Sequence, residues 1–378
     1  MANTFKFGNG EWAVGKETAL AYNDENSNFK PLPFTFDRAS TATVVNSDGL
    51  IETVGADEPR IDFLNNTKGH LLLEPSRSNL VTYSEDFSQW ATNATITPNS
   101  SISPDGTLNA SLFSHSGGAF PQVVLGGISF VSGSDYIPSL YVKSDGTSQV
   151  QHSLIVNGVV VNFTPTNQWV RISDLIVSPD TSGSFIIAQN SASSVAASFY
   201  IWGAQLEEGS YATSYIPTSG SAVTRSVDTT NATVPSGVFG TSEGTIYAEG
   251  IVAVDEGNGQ MPFTAGTDTS NLIYIWIKSN GRLTVESYTS TKQCGINSST
   301  GILSVGDSYK IAFGYANNDF VLYLNGTQIG ADTSGSIAVP SNVKVGTYIG
   351  SGYAGGKIKQ TKIYNTRLSN SELAALTT

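Results

Sequence analysis

The sequence is poor in the groups that most chemistry needs. Its 378 residues include one cysteine, Cys294, so no disulfide can form within the chain and no cysteine-based zinc site can be built. The three histidines, His70, His115 and His152, are far apart and share no motif with a Ser or Cys nucleophile, which makes them ordinary core or surface residues. Charged residues make up only 13% of the chain, about half the usual share. Nineteen basic residues face 31 acidic ones, a net charge of −12, and no Lys/Arg cluster stands out. Nucleic acid and anionic lipid are therefore not expected as partners. No apolar run approaches about 18 residues, so no membrane span is expected. The opening Met1-Ala2-Asn3-Thr4-Phe5 has neither the basic nor the apolar region of a secretory leader. A coiled coil, a disordered acidic tail and a collagen-like fibre are all excluded by this composition.

Gly, Ser, Thr and Asn fill the gap, and strand-like runs separated by turns follow one another along the chain. The fold class expected is all-β: two tandem antiparallel β-sandwiches of jelly-roll type, an irregular N-terminal anchoring segment and a short C-terminal helix. Residues 1–74 form the first block. They carry Phe5, Phe7, Trp12, Tyr22, Phe29, Phe34 and Phe36, are broken by Pro31 and Pro33, and include a hairpin signal, Thr43-Val44-Val45 and Leu50-Ile51 around Asp48-Gly49. This block has too little regular structure for a core of its own and is expected to anchor and oligomerise. Residues 75–220 form the second block, with strands near 136–142, 150–156, 159–163, 169–172, 185–188 and 198–202. Asn157-Gly158 between two Val-rich runs is its strongest hairpin cue. The Ser/Thr-rich residues 221–238 read as a linker between independently folding units.

Residues 239–378 alternate more cleanly. Ile273, Ile275 and Ile277 make one face of a strand, and Tyr274, Trp276 and Lys278 make the other. Asn280-Gly281 follows, then Leu283, Val285 and Ser287 against Thr284, Glu286 and Tyr288. Ser369-x-x-Glu372 is a capping box ahead of Leu373-Ala374-Ala375-Leu376, a helix too short to stand alone.

Two sets of phrases resemble tailed-bacteriophage virion proteins of the fibre, tail and minor structural type. The first runs from Phe36-Asp37-Arg38-Ala39-Ser40 through Pro59-Arg60-Ile61-Asp62-Phe63 to Leu73-Glu74-Pro75-Ser76-Arg77-Ser78-Asn79-Leu80. The second is Ile201-Trp202-Gly203-Ala204-Gln205-Leu206-Glu207 with Ala212-Thr213-Ser214-Tyr215-Ile216-Pro217 and Thr224-Arg225. Such proteins carry this segment ahead of a carbohydrate-binding-module-like jelly roll. A third set, Phe320-Val321-Leu322-Tyr323-Leu324-Asn325-Gly326 with Lys362-Ile363-Tyr364-Asn365, resembles the concanavalin A-like, laminin-G-like sandwich, whose last strand precedes a short helix. The resemblance implies a virion structural protein exposed on the particle surface. The role expected is a fibre or receptor-binding appendage that attaches the particle to host surface polysaccharide. It also implies a homotrimer that meets other virion proteins through the N-terminal segment. A capsid or tail decoration protein without glycan binding is the nearest alternative. A polysaccharide-degrading tail enzyme and a released bacterial glycan-binding protein are others.

Catalysis is not expected. A retaining glycosidase needs two carboxylates about 5 Å apart, and the Glu-x-Asp-x-x-Glu spacing of laminarinase-like enzymes is absent. The pairs present, Asp57-Glu58, Glu85-Asp86, Glu207-Glu208 and Asp255-Glu256, are adjacent residues that point to opposite faces of a strand. Asp268, Asp307, Asp319 and Asp332 lie in turns. Although laminin-G-like domains often hold Ca²⁺, no contiguous EF-hand-type loop occurs, so no metal and no cofactor is assigned. Cys294 reads as a structural thiol, and Trp169 and Trp202 as packing residues. Sugar C–H faces stack on aromatic rings, which leaves the outward set Tyr274, Trp276 and Tyr288, with Tyr353 in a Gly-rich loop, as the glycan-binding residues expected.

Overall fold

The computed structural model describes residues 4–12, 19–23, 26, 28–147, 150–253, 259–337, 339–349 and 355–378. Nearly all regular structure is antiparallel strand, in two packed sandwiches, with one α-helix at the C-terminal end of the described residues.

The sandwich built from the middle of the chain has a five-stranded and a six-stranded sheet. The five run in the order Ala91–Thr92, Gln122–Ser129, Ser182–Ala188, His152–Val156, Val159–Phe163. The six-stranded sheet runs Thr95–Ile102, Leu108–Gly118, Ser194–Glu208, Asp135–Ser144, Val170–Ser173, with Ile176–Val177 also on Asp135–Ser144. The expected hairpin at Asn157-Gly158 forms. Both residues have positive φ, 47° and 81°, as a two-residue turn of this hand requires. Phe113, Leu140, Leu154, Phe185, Ile187, Phe199 and Ile201 fill the space between the sheets. Side chains alternate across a strand, so Trp202, next to Ile201, points to the other side of the six-stranded sheet. There the hairpin Ala42–Val45 and Ile51–Val54 covers it, together with Tyr215 and Ala110.

The second sandwich pairs an eight-stranded with a seven-stranded sheet. In the first, Glu243–Ile251 lies between Ser308–Ala316 and Gly356–Tyr364. Asp319–Leu324 and Thr327–Asp332 extend one side. In the second, the order is Thr291–Asn297, Leu283–Thr289, Asn271–Ile277, Gln260–Asp268, Asn342–Lys344, Thr229–Thr233, Thr35–Asp37. The helix Asn370–Thr377 carries the expected capping box, with Ser369 N–H donating to Glu372 Oε2 at 2.8 Å. Its Leu373 packs on Tyr247, Ala312, Val321 and Tyr323 outside the eight-stranded sheet.

The N-terminal residues do not stand apart as an anchoring segment. Phe5–Gly8 and His70–Leu73 both pair with Gly356–Tyr364, and Thr35–Asp37 completes the seven-stranded sheet beside Thr229–Thr233. Phe5, Phe7, Phe34, Phe36, Leu71 and Leu73 are buried in the same core as Ile273, Ile275 and Phe313. These four phenyl rings are thus covered by their own chain. The expected linker is also part of the fabric. Val223–Arg225 pairs with Arg77–Asn79, and Ala232, Val234 and Val238 enter the core. Its Ser/Thr content hid a strand because threonine is itself a good strand former.

A buried ionic network lies where the pieces meet. Arg38 donates to Asp228 at 2.9 Å, Arg60 to Asp228 and to Glu74 (2.7 Å), and Arg225 to Glu74 at 2.7 Å. Ser214, from the end of the middle block, donates its hydroxyl to Glu74 at 2.6 Å and its N–H at 2.8 Å. Burial works against ionisation of Glu74, but Arg225 and Arg60 outweigh it and hold the carboxyl far below its usual range. Arg38, Arg60, Glu74, Ser214 and Arg225 all lie in the phrases that carry the virion-protein resemblance. Here they join the first 75 residues, the middle block and the start of the second sandwich.

Candidate functional site

The turn at Asn280-Gly281 sets the register of the hairpin that carries the aromatic residues. Gly281 takes φ 74°, Lys278 N–H donates to the Arg282 carbonyl at 2.9 Å, and Gly281 N–H donates back to Lys278 at 2.9 Å. Tyr274 then stands opposite Glu286, Trp276 opposite Thr284, and Leu272 opposite Tyr288. Directly opposed residues share a face. Ile273, Ile275, Ile277, Leu283 and Val285 fill the core, which puts Tyr274, Trp276, Glu286 and Tyr288 together on the outer side of the seven-stranded sheet.

Glu286 is the centre of the group. Its Oε2 accepts from the hydroxyls of Tyr274 and of Tyr288, the latter at 2.8 Å, and its Oε1 pairs with Lys292. Burial raises its pKa, but the Lys292 ammonium and the two phenols pull it down further, so it is held ionised below its ordinary value. Burial and that carboxylate push both phenols up, so they remain donors. The rings of Tyr274 and Tyr288 stack with centroids 6.3 Å apart, and Tyr348, beyond the strand Asn342–Lys344, meets Tyr274 edge-on at 6.0 Å. Trp276 meets Tyr274 edge-on at 6.4 Å, and the Lys278 ammonium lies over the Trp276 ring, 4.6 Å from its centroid.

The structure therefore brings three of the four expected residues together. Tyr353 lies outside the described residues. The three are not equally presented. Trp276 and Tyr288 are half-buried, but Tyr274 is only 8% exposed and makes the floor beneath them. The alternation places Lys278 and Glu286 on this face without giving them a part in the site, and Lys292 and Tyr348 are not anticipated. Glu286 was accessible from period 2 alone, being two residues from Tyr288 on the same face. Tyr348 carries no local signal, since it arrives from a distant segment.

Elsewhere the expected bystanders have structural partners. Glu85 accepts from Tyr215 and Asn109, and Glu207 from Thr213. Asp268 and Asp307 accept backbone N–H groups within their own turns. Asp255-Glu256 lies outside the described residues. Trp202 is fully buried, and Trp169 packs on the same cluster. Cys294 is buried, and loss of solvent pushes its thiol up to about 12. Two histidines that looked unrelated meet: His115 and His152 have ring centroids 6.0 Å apart, with His152 among Phe113, Phe163 and Phe199. Burial, with His115 adding to it, lowers the His152 pKa to about 4.

Residues 226–374 match the family model of the Concanavalin A-like lectin/glucanases superfamily. That match takes in most of the second sandwich and the aromatic hairpin. The strands Phe5–Gly8, Thr35–Asp37 and His70–Leu73 lie outside it. No curated protein matches the chain in sequence. Among solved structures, it is similar to the CBM40 domain of Ruminococcus gnavus IT-sialidase, at 19% identity and a TM-score of 0.33, over 37% of this chain and 85% of that one. It is also similar to domain 4 of the arabinanase AbnA from Geobacillus stearothermophilus, at 16% identity and a TM-score of 0.33, over 45% and 84% of the two chains. A further likeness is to a pentraxin of Limulus polyphemus, at 15% identity and a TM-score of 0.29, over 36% and 70%.

Proposed function

We propose that the protein binds carbohydrate without transforming it, through the outer side of the hairpin Asn271–Ile277 and Leu283–Thr289, and that it does so as a surface appendage of a phage particle. The observation that carries the binding half is the fixed group of Trp276, Tyr274 and Tyr288 around an ionised Glu286. Aromatic rings held by a hydrogen-bonded anchor are pre-organised, so little ordering entropy is lost when a sugar ring docks. Glu286 is the only carboxylate on these two strands. A glycosidase of either stereochemistry uses two, which favours a binding role. The virion half rests on the phrases that hold the ionic junction, and carries with it the three-chain assembly and the contacts with other virion proteins that the resemblance implies.

Trp276→Ala tests the binding half. A stacked ring contributes on the order of 1–3 kcal/mol by analogy with base–aromatic stacking. Adsorption to host cells or to isolated envelope polysaccharide is expected to fall about tenfold or more, with the melting temperature within a few degrees of the parent. Unchanged adsorption by a folded variant refutes the site.

A further inference from the structure

We infer that this site selects acidic over neutral saccharides, and that Lys278 is the residue that makes the selection. The inference rests on the carbohydrate-binding reading above and gives it a substrate class.

The first observation is charge. The chain as a whole is strongly acidic, at −12, whereas among the described residues the outer face around Tyr274 and Trp276 carries Lys278, Lys292 and Lys344 against one carboxylate, Glu286. Lys344 opposes Thr264, which in turn opposes Tyr274, so Lys344 shares the face of Tyr274, Trp276 and Lys278. Lys292 is matched by Glu286, with Asp332 also within electrostatic reach. Among the described residues, neither Lys278 nor Lys344 has a carboxylate within salt-bridge distance. The aromatic group therefore sits between two unmatched ammonium groups. At physiological ionic strength the Debye length is about 8 Å, so remote carboxylates of the chain are screened while Lys278, 4.6 Å from the Trp276 ring centroid, acts at close range.

The second observation is where Lys278 rests. Its ammonium covers the Trp276 ring at 4.6 Å, a favourable cation–π position. A neutral sugar that stacks on that side must push the ammonium away and gives it nothing in return. An acidic sugar takes the same displaced ammonium as a partner for its own charge. The cost of uncovering the ring is thus recovered only with an anionic ligand, and specificity is that difference between two affinities. Glu286 does not oppose such a ligand strongly, because two phenols and Lys292 already occupy its oxygens.

The test uses the full chain and the variants Lys278→Gln and Trp276→Ala. Probes are polygalacturonate and hyaluronate, each beside a carboxyl-reduced counterpart, and chondroitin sulfate beside its desulfated form. These arms separate carboxylate from sulfate as the source of charge. Binding is read by affinity electrophoresis and calorimetry, with melting temperatures measured in parallel. The parent is expected to prefer at least one acidic polymer over its uncharged counterpart by about tenfold, with the preference weakening as salt rises. Lys278→Gln is expected to bring that ratio to within about threefold while melting like the parent. Equal binding of charged and uncharged polymers, lost in Trp276→Ala, overturns the acidic selectivity and leaves carbohydrate binding standing. A preference that survives Lys278→Gln also overturns it. No binding of any polymer by the parent removes both.

Discussion

The two sandwiches solve the same problem in opposite ways. Every apolar residue in the buried inter-sheet cluster of the middle sandwich lies between Val81 and Leu206, and the first block adds only the cover over Trp202 on the outside of its six-stranded sheet. The second sandwich takes Phe5, Phe7, Phe34, Phe36, Leu71 and Leu73 from the far end of the chain into its core. One is a local product and the other is a composite, so the apparent order of two tandem modules along the sequence is not the order in which their cores are built. The ionic network of Arg38, Arg60, Glu74, Arg225 and Asp228 sits where that composite is tied, and Ser214 brings the middle block into it.

The difference is broken most severely by truncation. A fragment of residues 236–378 lacks the strands Phe5–Gly8, Thr35–Asp37, His70–Leu73 and Thr229–Thr233. Losing a buried Phe costs about 3–5 kcal/mol, so four of them amount to about 12–20 kcal/mol, on the scale of or above a whole-domain stability of about 5–15 kcal/mol. That fragment is expected to aggregate or remain unfolded, while residues 80–220 retain the whole inter-sheet cluster and, although Trp202 loses its cover, are expected to give a cooperative melt by circular dichroism. A soluble, cooperatively melting 236–378 fragment would show that the borrowed strands are dispensable.

Glu74→Gln sharpens the comparison at the tie. It leaves Arg60 and Arg225, both almost fully buried, with a partner lost. Breaking a buried pair in this way is expected to cost about 3–5 kcal/mol. Because Ser214 donates to both Glu74 oxygens and one of them becomes an amide NH2, both sandwiches are expected to soften together, seen as a lower midpoint in denaturant. A midpoint equal to that of the parent contradicts the role given to the network.

The smallest effect is confined to the self-contained sandwich. His152 is buried and neutral, with a pKa of about 4 against about 6.5 in an unfolded chain. Between those values the unfolded state binds more protons, so stability falls as pH falls through this window and is fully kept above it. The loss by pH 4 is on the order of 3 kcal/mol. His152→Phe, set among Phe113, Phe163 and Phe199, is expected to flatten this part of the stability–pH curve relative to the parent. Parallel curves for parent and variant would assign the acid sensitivity elsewhere.

Local periodicity was readable because it follows from the backbone itself. Successive side chains on a strand point to opposite faces, so Ile273, Ile275 and Ile277 against Tyr274 and Trp276 identified the core and outer sides before any partner strand was known. The turn at Asn157-Gly158 and the cap of Ser369 and Glu372 were readable for the same reason, since each satisfies its geometry within a few residues. What tertiary structure alone decided was which edges join. Phe5 pairs across from Ile363, and Thr35 across from Asn231, yet every strand edge offers the same row of N–H and C=O groups. Nothing in a short run such as Phe5-Lys6-Phe7 names its neighbour. The choice is made by the core that must be filled and by the buried charges that must be paired, and both exist only once distant segments have met.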